Sequence, residues 1–236
     1  MSSKLCLLPV LPARVSLPKN KRPLRLLITA GPTREMLDPV RFITNLSTGE
    51  MGYAIAREAK RRGFKATLLS GPTGLVPPKG IRFVPFVTVA DLERELKQHF
   101  GHHDILIMSA AVGDFIPVKR ASKKIPRQER WAVSFRKAPD LVRKLAKQKG
   151  ERIVIGFSLE TEDWLARSQR KREAKHLDGM VANYYSKKHN PFGKTRVHVA
   201  FIDKRRIQML HAGSKEKLAV PLLDWVLTLA DARIKN

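Results

Sequence analysis

The sequence contains a single cysteine, Cys6, among its 236 residues. An intramolecular disulfide and a cysteine-ligated metal cluster are therefore excluded, and we expect a cytoplasmic protein. No apolar run approaches the ~18 residues that a membrane-spanning helix needs. The apolar stretch around Cys6 is short, is interrupted by prolines and lacks a clear cleavage site for a signal peptidase. We therefore expect residues 1–22 to form an N-terminal extension that packs loosely on the folded domain.

Acidic residues are scarce: the chain has 21 aspartates and glutamates against 46 lysines and arginines, so its net charge is +25. Such a positive field concentrates anionic ligands. Nucleic acid is one such ligand, but the basic residues are spread over predicted helices and loops. The sequence has no zinc-finger spacing, RNP-type aromatic motif or long basic arm. We therefore expect small anionic partners and no specific nucleic acid.

Short apolar runs alternate with helical patterns along the chain. The predicted strands are 26–28, 66–71, 81–87, 104–110, 152–157 and 179–183, and the predicted helices are 51–62, 90–100, 139–147, 162–176 and 214–232. Residues 197–202 and 207–211 are predicted to form a late β-hairpin. This alternation predicts one α/β domain over residues 23–236, with an open, mostly parallel, Rossmann-like sheet and helices on both faces.

The first strand ends at the glycine turn of Gly31, and a second small-residue loop with Ser47 and Gly49 leads directly into the first helix. The free N–H groups and positive dipole end of such a helix start bind phosphate well. Ligands of parallel sheets bind beyond the carboxyl ends of the strands, so Gly31, Gly71 and residues 110–114 should meet at one crevice. Taken alone, this unit is also compatible with a purely structural glycine turn.

The segment from about residue 115 to 136 interrupts the regular pattern and has little apolar periodicity. Its basic residues are Lys119, Arg120, Lys123, Lys124, Arg127 and Arg130. Loops of this length usually have a function, and a basic flap over a bound polyphosphate is one hypothesis. A solvated linker is the other. Because little apolar surface is available to hold it, we expect the segment to be mobile without a ligand.

Several short stretches follow one another in a specific order, although none is specific alone. They are 28–35 (ITAGPTRE), 38–45 (DPVRFITN), 47–49 (STG), 51–53 (MGY), 70–73 (SGPT), 110–114 (AAVGD), 124–125 (KI), 139–140 (PD), 156–157 (GF), 160–161 (ET), Lys171 with Lys175, and 181–183 (VAN). From about Leu26 to the last helix, the chain resembles the phosphopantothenate–cysteine ligase family of coenzyme A biosynthesis, also called phosphopantothenoylcysteine synthetase.

This resemblance implies a ligase that joins 4′-phosphopantothenate and L-cysteine. The family activates the pantothenate carboxylate with a nucleoside triphosphate, here expected to be CTP, and releases pyrophosphate. The amine of cysteine then displaces the nucleoside monophosphate from the acyl-nucleotidylate. Mg²⁺ and a homodimer are also expected. Many bacterial members are fused to a flavin-dependent decarboxylase, for which this chain is too short. We therefore expect a stand-alone synthetase, with a separate phosphopantothenoylcysteine decarboxylase as a candidate partner.

The resemblance also assigns the site residues. Asn45 is the expected catalytic residue for the acyl intermediate, and Lys124 is the expected catalytic lysine of the flap, with Lys123 as its alternative. Asp114 is expected to bind the nucleotide through its ribose or through Mg²⁺. The other expected nucleotide-binding residues are Gly31, Ser47, Gly49, Gly52, Ala110, Pro139, Asp140, Phe157, Lys171 and Lys175.

The chain departs from the family pattern at three places. Pro126 follows the flap motif where a lysine is common, Ala138 replaces an asparagine, and residues Lys194 to Arg196 replace an acidic stretch. These changes leave open an alternative, a relative that binds a nucleotide or a phosphopantetheine-like ligand with weak or no turnover. A Rossmann-type oxidoreductase is disfavoured, because the sequence lacks the expected glycine fingerprint and the second strand ends in SGPT, without a ribose-binding acid.

Overall fold

The computed structural model describes residues 22–186, 190–192 and 197–234. The strands are β1 (Arg25–Ala30), β2 (Arg34–Met36), β3 (Phe42–Thr44), β4 (Lys65–Ser70), β5 (Arg82–Pro85), β6 (Ile105–Met108), β7 (Phe115–Pro117), β8 (Phe135–Lys137), β9 (Ile153–Glu160), β10 (Gly179–Tyr184), β11 (Val197–Asp203) and β12 (Ile207–Ala212). The helices are α1 (Glu50–Arg61), α2 (Val89–His99), α3 (Leu141–Ala146), α4 (Trp164–Ala174) and α5 (Lys215–Ile234), with a short 3₁₀ turn at Phe100–His102.

One large sheet organises the described part of the chain. Its eight strands lie in the order β12-β11-β10-β9-β6-β1-β4-β5. The strands from β10 to β5 pair in parallel, and β11 and β12 add an antiparallel hairpin at one edge. The predicted α/β fold class is therefore confirmed, including the late hairpin. The departure at residues 194–196 and nearly all of the N-terminal extension lie outside the described residues.

Helices cover both faces of this sheet, as the alternating pattern predicted. On one face, Tyr53 and Ile55 of α1 and Leu222 and Trp225 of α5 belong to a common apolar core. On the other face, a second core contains residues of α2 and α3, and α4 packs against it through Trp164. The strands between the two layers are apolar on both sides because both of their faces are buried. Among the described residues, no helix is long and apolar enough to cross a membrane.

Two small hairpins lie outside the main sheet, and the sequence analysis predicted neither of them. β2 pairs with β3, and β7 pairs with β8. The β2–β3 turn is built by the Asp38 carboxylate, which accepts hydrogen bonds from the N–H groups of Val40 and Arg41, both at 2.8 Å. An aspartate followed by a proline is a turn signal. Each strand has only three residues, which is too short for a period-2 pattern to be recognised.

A buried ionic network ties α1 to α5. Arg62, at the end of α1, contacts the carboxylates of Glu58 and Asp224, each at 2.6 Å. The Arg62 side chain is only 9% exposed and both acids are 8% exposed. Glu58 also pairs with Arg61 at 2.5 Å, whereas Arg62 is the ion-pair partner of Asp224 within the described residues. An exposed pair, Arg57 with Glu216 at 3.0 Å, joins the same two helices. These contacts fix the position of α1, whose first turn forms part of the site described below.

We predict that Arg62→Gln lowers the free energy of unfolding by roughly 3 kcal/mol, because it leaves the buried Asp224 carboxylate without its ion-pair partner. The matched control is Arg57→Gln, which breaks the exposed pair between the same helices and should cost less than about 1 kcal/mol. Urea denaturation of both variants measures the difference. Equal losses would show that the buried network contributes no more than the exposed pair.

Candidate active site

A cleft of about 680 Å³ lies at the carboxyl edge of the parallel strands. Segments that are far apart in the sequence meet there. Its lining comprises residues 44–52, 108–114, 137–142 and 156–159, together with Lys171, Lys175, Leu177, Met180, Asn183, Pro191, Phe192 and Lys215. Of the residues that the resemblance assigned, Asn45, Ser47, Gly49, Gly52, Ala110, Asp114, Pro139, Asp140, Phe157, Lys171 and Lys175 line this cleft. Neither Gly31 nor Lys124 does.

The loop before α1 is shaped by close glycine packing. Gly49 precedes the helix with a φ of 79°, in the left-handed region that glycine adopts without strain. A Cβ atom there would lie 2.7 Å from Thr73 Cγ2 and 3.3 Å from the backbone of Gly31. Gly31 therefore packs directly against the backbone of this loop at Gly49. Gly52 lets α1 approach β1 closely, since an added Cβ would lie 2.5 Å from that of Ala30. The start of α1 is thus held open to the cleft, an arrangement suited to a phosphate.

Asn45 connects this loop to the loop after β6. Its Nδ2 donates a hydrogen bond to the carbonyl oxygen of Ala111 at 3.0 Å. The same carbonyl accepts the N–H of Thr33, and the Ala111 N–H donates to the Gly31 carbonyl at 2.9 Å. The Asn45 side chain forms no other hydrogen bond within the described residues, so its Oδ1 is left as an acceptor. The amide group is therefore held in a fixed orientation at the lip of the cleft.

The opposite end of the cleft is formed by α3, α4 and the end of β9. Lys171 Nζ lies 2.5 Å from Glu160 Oε1, and Lys175 Nζ lies 3.1 Å from Asp140 Oδ2. Asp140 also caps α3 by accepting the N–H of Arg143 at 3.1 Å. Without the resemblance, the two lysines would be read as solvated surface residues. In the structure both line the cleft, and each is held there by a carboxylate.

Asp114 follows β6 and is exposed at the cleft, and its carbonyl oxygen accepts the N–H of Ala138 at 2.8 Å. The replacement of the family asparagine by Ala138 leaves this backbone contact intact. No group of three or more metal-ligating side chains occurs among the residues that the structure describes. Mg²⁺ commonly binds through one or two carboxylates together with substrate phosphates, so the single carboxylate of Asp114 is sufficient for that kind of site.

The basic flap, residues 115–136, has a structured base and several anchors. β7 and β8 pair at its two ends, and the Ala121 N–H donates to the Leu37 carbonyl at 2.9 Å. The Ile125 N–H donates to Asp38 Oδ2 at 3.2 Å, and the Arg41 guanidinium donates to the Ile125 carbonyl at 2.5 Å. These contacts correct the expectation that little holds this segment. They also attach Ile125, the residue next to Lys124, to the β2–β3 hairpin.

Asp38 is the central anchor of the flap, and its side chain is completely buried. Burial opposes its ionisation, but the N–H groups of Val40, Arg41 and Ile125 and the Arg41 guanidinium outweigh that effect and lower the pKa of the carboxyl. Sequence reasoning identified Asp38 only as part of a motif. Its turn chemistry was a usable signal, but its contact with the flap depends on the tertiary fold.

Comparisons with known proteins point to one family. The model of the DNA/pantothenate metabolism flavoprotein C-terminal domain matches residues 22–229. The coenzyme A biosynthesis bifunctional protein CoaBC of Escherichia coli (strain K12) is 36% identical over 217 residues, which are 89% of this chain and 53% of that protein. The CoaBC protein of Bacillus subtilis (strain 168) is 42% identical over 158 residues, 66% of this chain and 39% of that protein. The chain thus spans about half or less of these curated relatives.

Solved structures share the fold. The crystal structure of the C-terminal domain of a CoaBC protein has a TM-score of 0.75 at 32% identity, covering 88% of this chain and 96% of that one. A Cab2 mutant in complex with phosphopantothenate-cysteine has a TM-score of 0.73 at 18% identity, covering 90% of this chain and 88% of that one. At this lower identity the second likeness shows the fold alone.

We predict that Asp38→Asn speeds amide hydrogen exchange in residues 119–130, because a neutral amide binds the Ile125 N–H and Arg41 less strongly than a carboxylate does. Hydrogen exchange read by mass spectrometry measures this. Asp91→Asn is the matched control. Asp91 is a comparable carboxylate that lies outside the flap, at the start of α2. Burial opposes its ionisation, but hydrogen bonds from Thr88 and Arg94 lower its pKa to about 2.

The same anchor sets a pH dependence. The pKa of Asp38 is lowered in the folded state. Its contribution to the stability of the folded state is therefore fully present above the usual aspartate pKa of about 3.9, and it is lost as the pH falls through the lower folded-state pKa. Protection of the flap should therefore be unchanged between neutral pH and about pH 5. Faster hydrogen exchange of the flap in Asp91→Asn, or an unchanged exchange rate of the flap in Asp38→Asn, would contradict the assignment of Asp38 as the anchor.

Proposed function

This chain belongs to the family of the DNA/pantothenate metabolism flavoprotein C-terminal domain, and we propose that it joins 4′-phosphopantothenate and L-cysteine into 4′-phosphopantothenoylcysteine. In this proposal CTP is cleaved to CMP and pyrophosphate. The observation that carries it is the cleft, where eleven of the thirteen residues assigned by the resemblance come together from separate segments. The match to the family model and the similarity to the CoaBC proteins of coenzyme A biosynthesis support the choice of substrates.

In the first step, a carboxylate oxygen of 4′-phosphopantothenate attacks the α-phosphorus of CTP. An acyl–phosphate bond forms, the bond between the α- and β-phosphates breaks, and pyrophosphate leaves with the electron pair. Such a reaction requires positioning and charge neutralisation and no protein nucleophile. The start of α1, with Ser47 and Gly49, is suited to hold phosphate oxygens. Lys124, which does not line the cleft in this structure, would supply a cation once the flap moves toward the nucleotide. Mg²⁺ bound with Asp114 would neutralise further phosphate charge.

In the second step, the amine of cysteine attacks the acyl carbon of the intermediate. The amide bond forms, CMP leaves with the electrons of the acyl–oxygen bond, and the amine gives up a proton to water. Asn45 is placed to orient the intermediate, because its Nδ2 is fixed on Ala111 and its Oδ1 remains an acceptor. A neutral amide can both donate to and accept from the acyl-cytidylate without adding charge.

The α3–α4 end of the cleft is the proposed site for the nucleoside. Phe157 offers an apolar contact beside two lysines, Lys171 and Lys175, whose ammonium groups are hydrogen-bond donors only. Donors of this kind suit the carbonyl oxygen of cytosine. The carboxylates of Glu160 and Asp140 hold both lysines in position before the nucleotide binds.

The two small hairpins support the proposed homodimer. They expose a set of large apolar side chains: Val40, Phe42, Ile43, Phe115, Val118 and Phe135. The two hairpins contact each other through β2 and β7, and a group of exposed large apolar side chains is a feature of protein interfaces. A second copy of the chain would cover it next to the flap. A cytoplasmic location and a separate phosphopantothenoylcysteine decarboxylase as partner complete the proposal.

We predict that CTP supports faster turnover than ATP, because the larger adenine lacks a carbonyl oxygen for Lys171 and Lys175. The measurement is pyrophosphate release with 4′-phosphopantothenate under matched nucleotide concentrations, with and without cysteine. Equal or faster turnover with ATP would contradict the nucleotide assignment. Binding of CTP with no pyrophosphate release would favour the alternative, a relative that binds its ligands without turnover.

We predict that Asn45→Asp slows aminolysis on the order of 100-fold while the first step survives, since a carboxylate would face the anionic acyl-cytidylate. Rapid-quench analysis with labelled CTP should show the intermediate accumulating. The contrasting variant is Asp114→Asn, which should slow formation of the intermediate and leave nothing to accumulate. Amide formation at the unmodified rate in the Asn45 variant would refute the role of Asn45.

A further inference from the structure

Lys215 is a cleft residue that none of the motifs described above includes. It is the first residue of α5, it lines the cleft, and its side chain is only 11% exposed. Its ammonium group forms an ion pair with the carboxylate of Glu50 in the first turn of α1. The two residues are 165 positions apart in the sequence.

A lysine at this position is electrostatically unfavourable. The positive end of the α5 dipole lies at its first turn, where a cation is destabilising. Removal of the ammonium from water adds a further cost, which the Glu50 ion pair opposes. Exceptions of this kind to local electrostatic preference are characteristic of functional sites.

The location of Lys215 indicates which chemical group it serves. Glu50 and Lys215 both line the cleft, beside the loop of residues 45–49 that leads into α1. Glu50 occupies the position in the first turn that favours negative charge. A phosphate bound at the start of α1 would bring a second, stronger negative charge to the same place. The lysine could then exchange its carboxylate partner for phosphate oxygens.

We propose that Lys215 is a further substrate-binding residue, whose ammonium binds the phosphate oxygens of a substrate at the start of α1, and that Glu50 is its resting counter-ion. The proposal rests on the proposed function and extends it. The phosphate belongs either to the triphosphate of the nucleotide or to 4′-phosphopantothenate. Both have the same oxygen chemistry, so the experiment has one arm for each.

The competing explanation is that Lys215 only tethers α5 to α1. The structure offers a matched control for it, because the ion pair of Arg57 and Glu216 joins the same two helices and neither residue lines the cleft. A tether would make Lys215 and Glu50 equivalent, since losing either partner breaks the same bond. If Lys215 binds phosphate, its loss weakens phosphate binding, whereas the loss of Glu50 does not.

The test compares wild type, Lys215→Gln, Glu50→Gln and Arg57→Gln by titration calorimetry, with pyrophosphate in one arm and 4′-phosphopantothenate in the other. Thermal unfolding is measured alongside. Loss of a charge-assisted hydrogen bond should raise the dissociation constant in one arm about tenfold or more for Lys215→Gln. Glu50→Gln should leave affinity unchanged or increase it, because a competing carboxylate is removed. Arg57→Gln should change neither arm.

The arm that weakens in Lys215→Gln identifies the phosphate. Unchanged affinity in both arms, no binding by wild type, or equal weakening by the Lys215 and Glu50 variants would overturn the proposal. If Lys215→Gln does not fold, weaker binding by Glu50→Gln overturns it and equal or tighter binding supports it. Binding is independent of turnover. Lys215-dependent binding in a wild-type protein that makes no amide would therefore reject the proposed function and retain the phosphate site.

Discussion

The parallel pairing of β1, β6, β9 and β10 is the constraint on which the site depends. Because these strands run in the same direction, their carboxyl ends lie along one edge, and every loop that follows them emerges there. Asn45 contacts the loop after β6 for this reason, although 66 positions separate it from Ala111. The cleft is therefore a consequence of topology, and the individual side chains define its chemistry.

The charge of the cleft is more balanced than the composition of the chain suggests. The net charge is +25, yet three lysines that line the cleft are each paired with a carboxylate: Lys171 with Glu160, Lys175 with Asp140 and Lys215 with Glu50. These acids hold flexible ammonium groups in fixed positions before any anion arrives. For Lys171 and Lys175 this pre-organisation lowers the conformational entropy lost when the nucleoside binds. At Lys215 the Glu50 carboxylate instead competes with the phosphate.

The flap and the β2–β3 hairpin form one mechanical unit. Asp38 both builds the hairpin turn and accepts the N–H of Ile125, so a single buried carboxylate links the turn to the flap. Arg41 adds a hydrogen bond to the Ile125 carbonyl and stacks over Trp131. Movement of Lys124 toward a bound nucleotide would require this unit to move with it or these contacts to break.

The sequence alone determined the alternation of strands and helices, because apolar periodicity is local and the burial of both sheet faces leaves a direct pattern. It also identified the glycine loop before α1 and the order of the family motifs. Tertiary structure decided the rest. The Glu50–Lys215 pair and the Asp38–Ile125 contact join residues 165 and 87 positions apart. No local pattern encodes which carboxylate a lysine or a backbone N–H will meet, since the choice depends on which chain segments the sheet brings together.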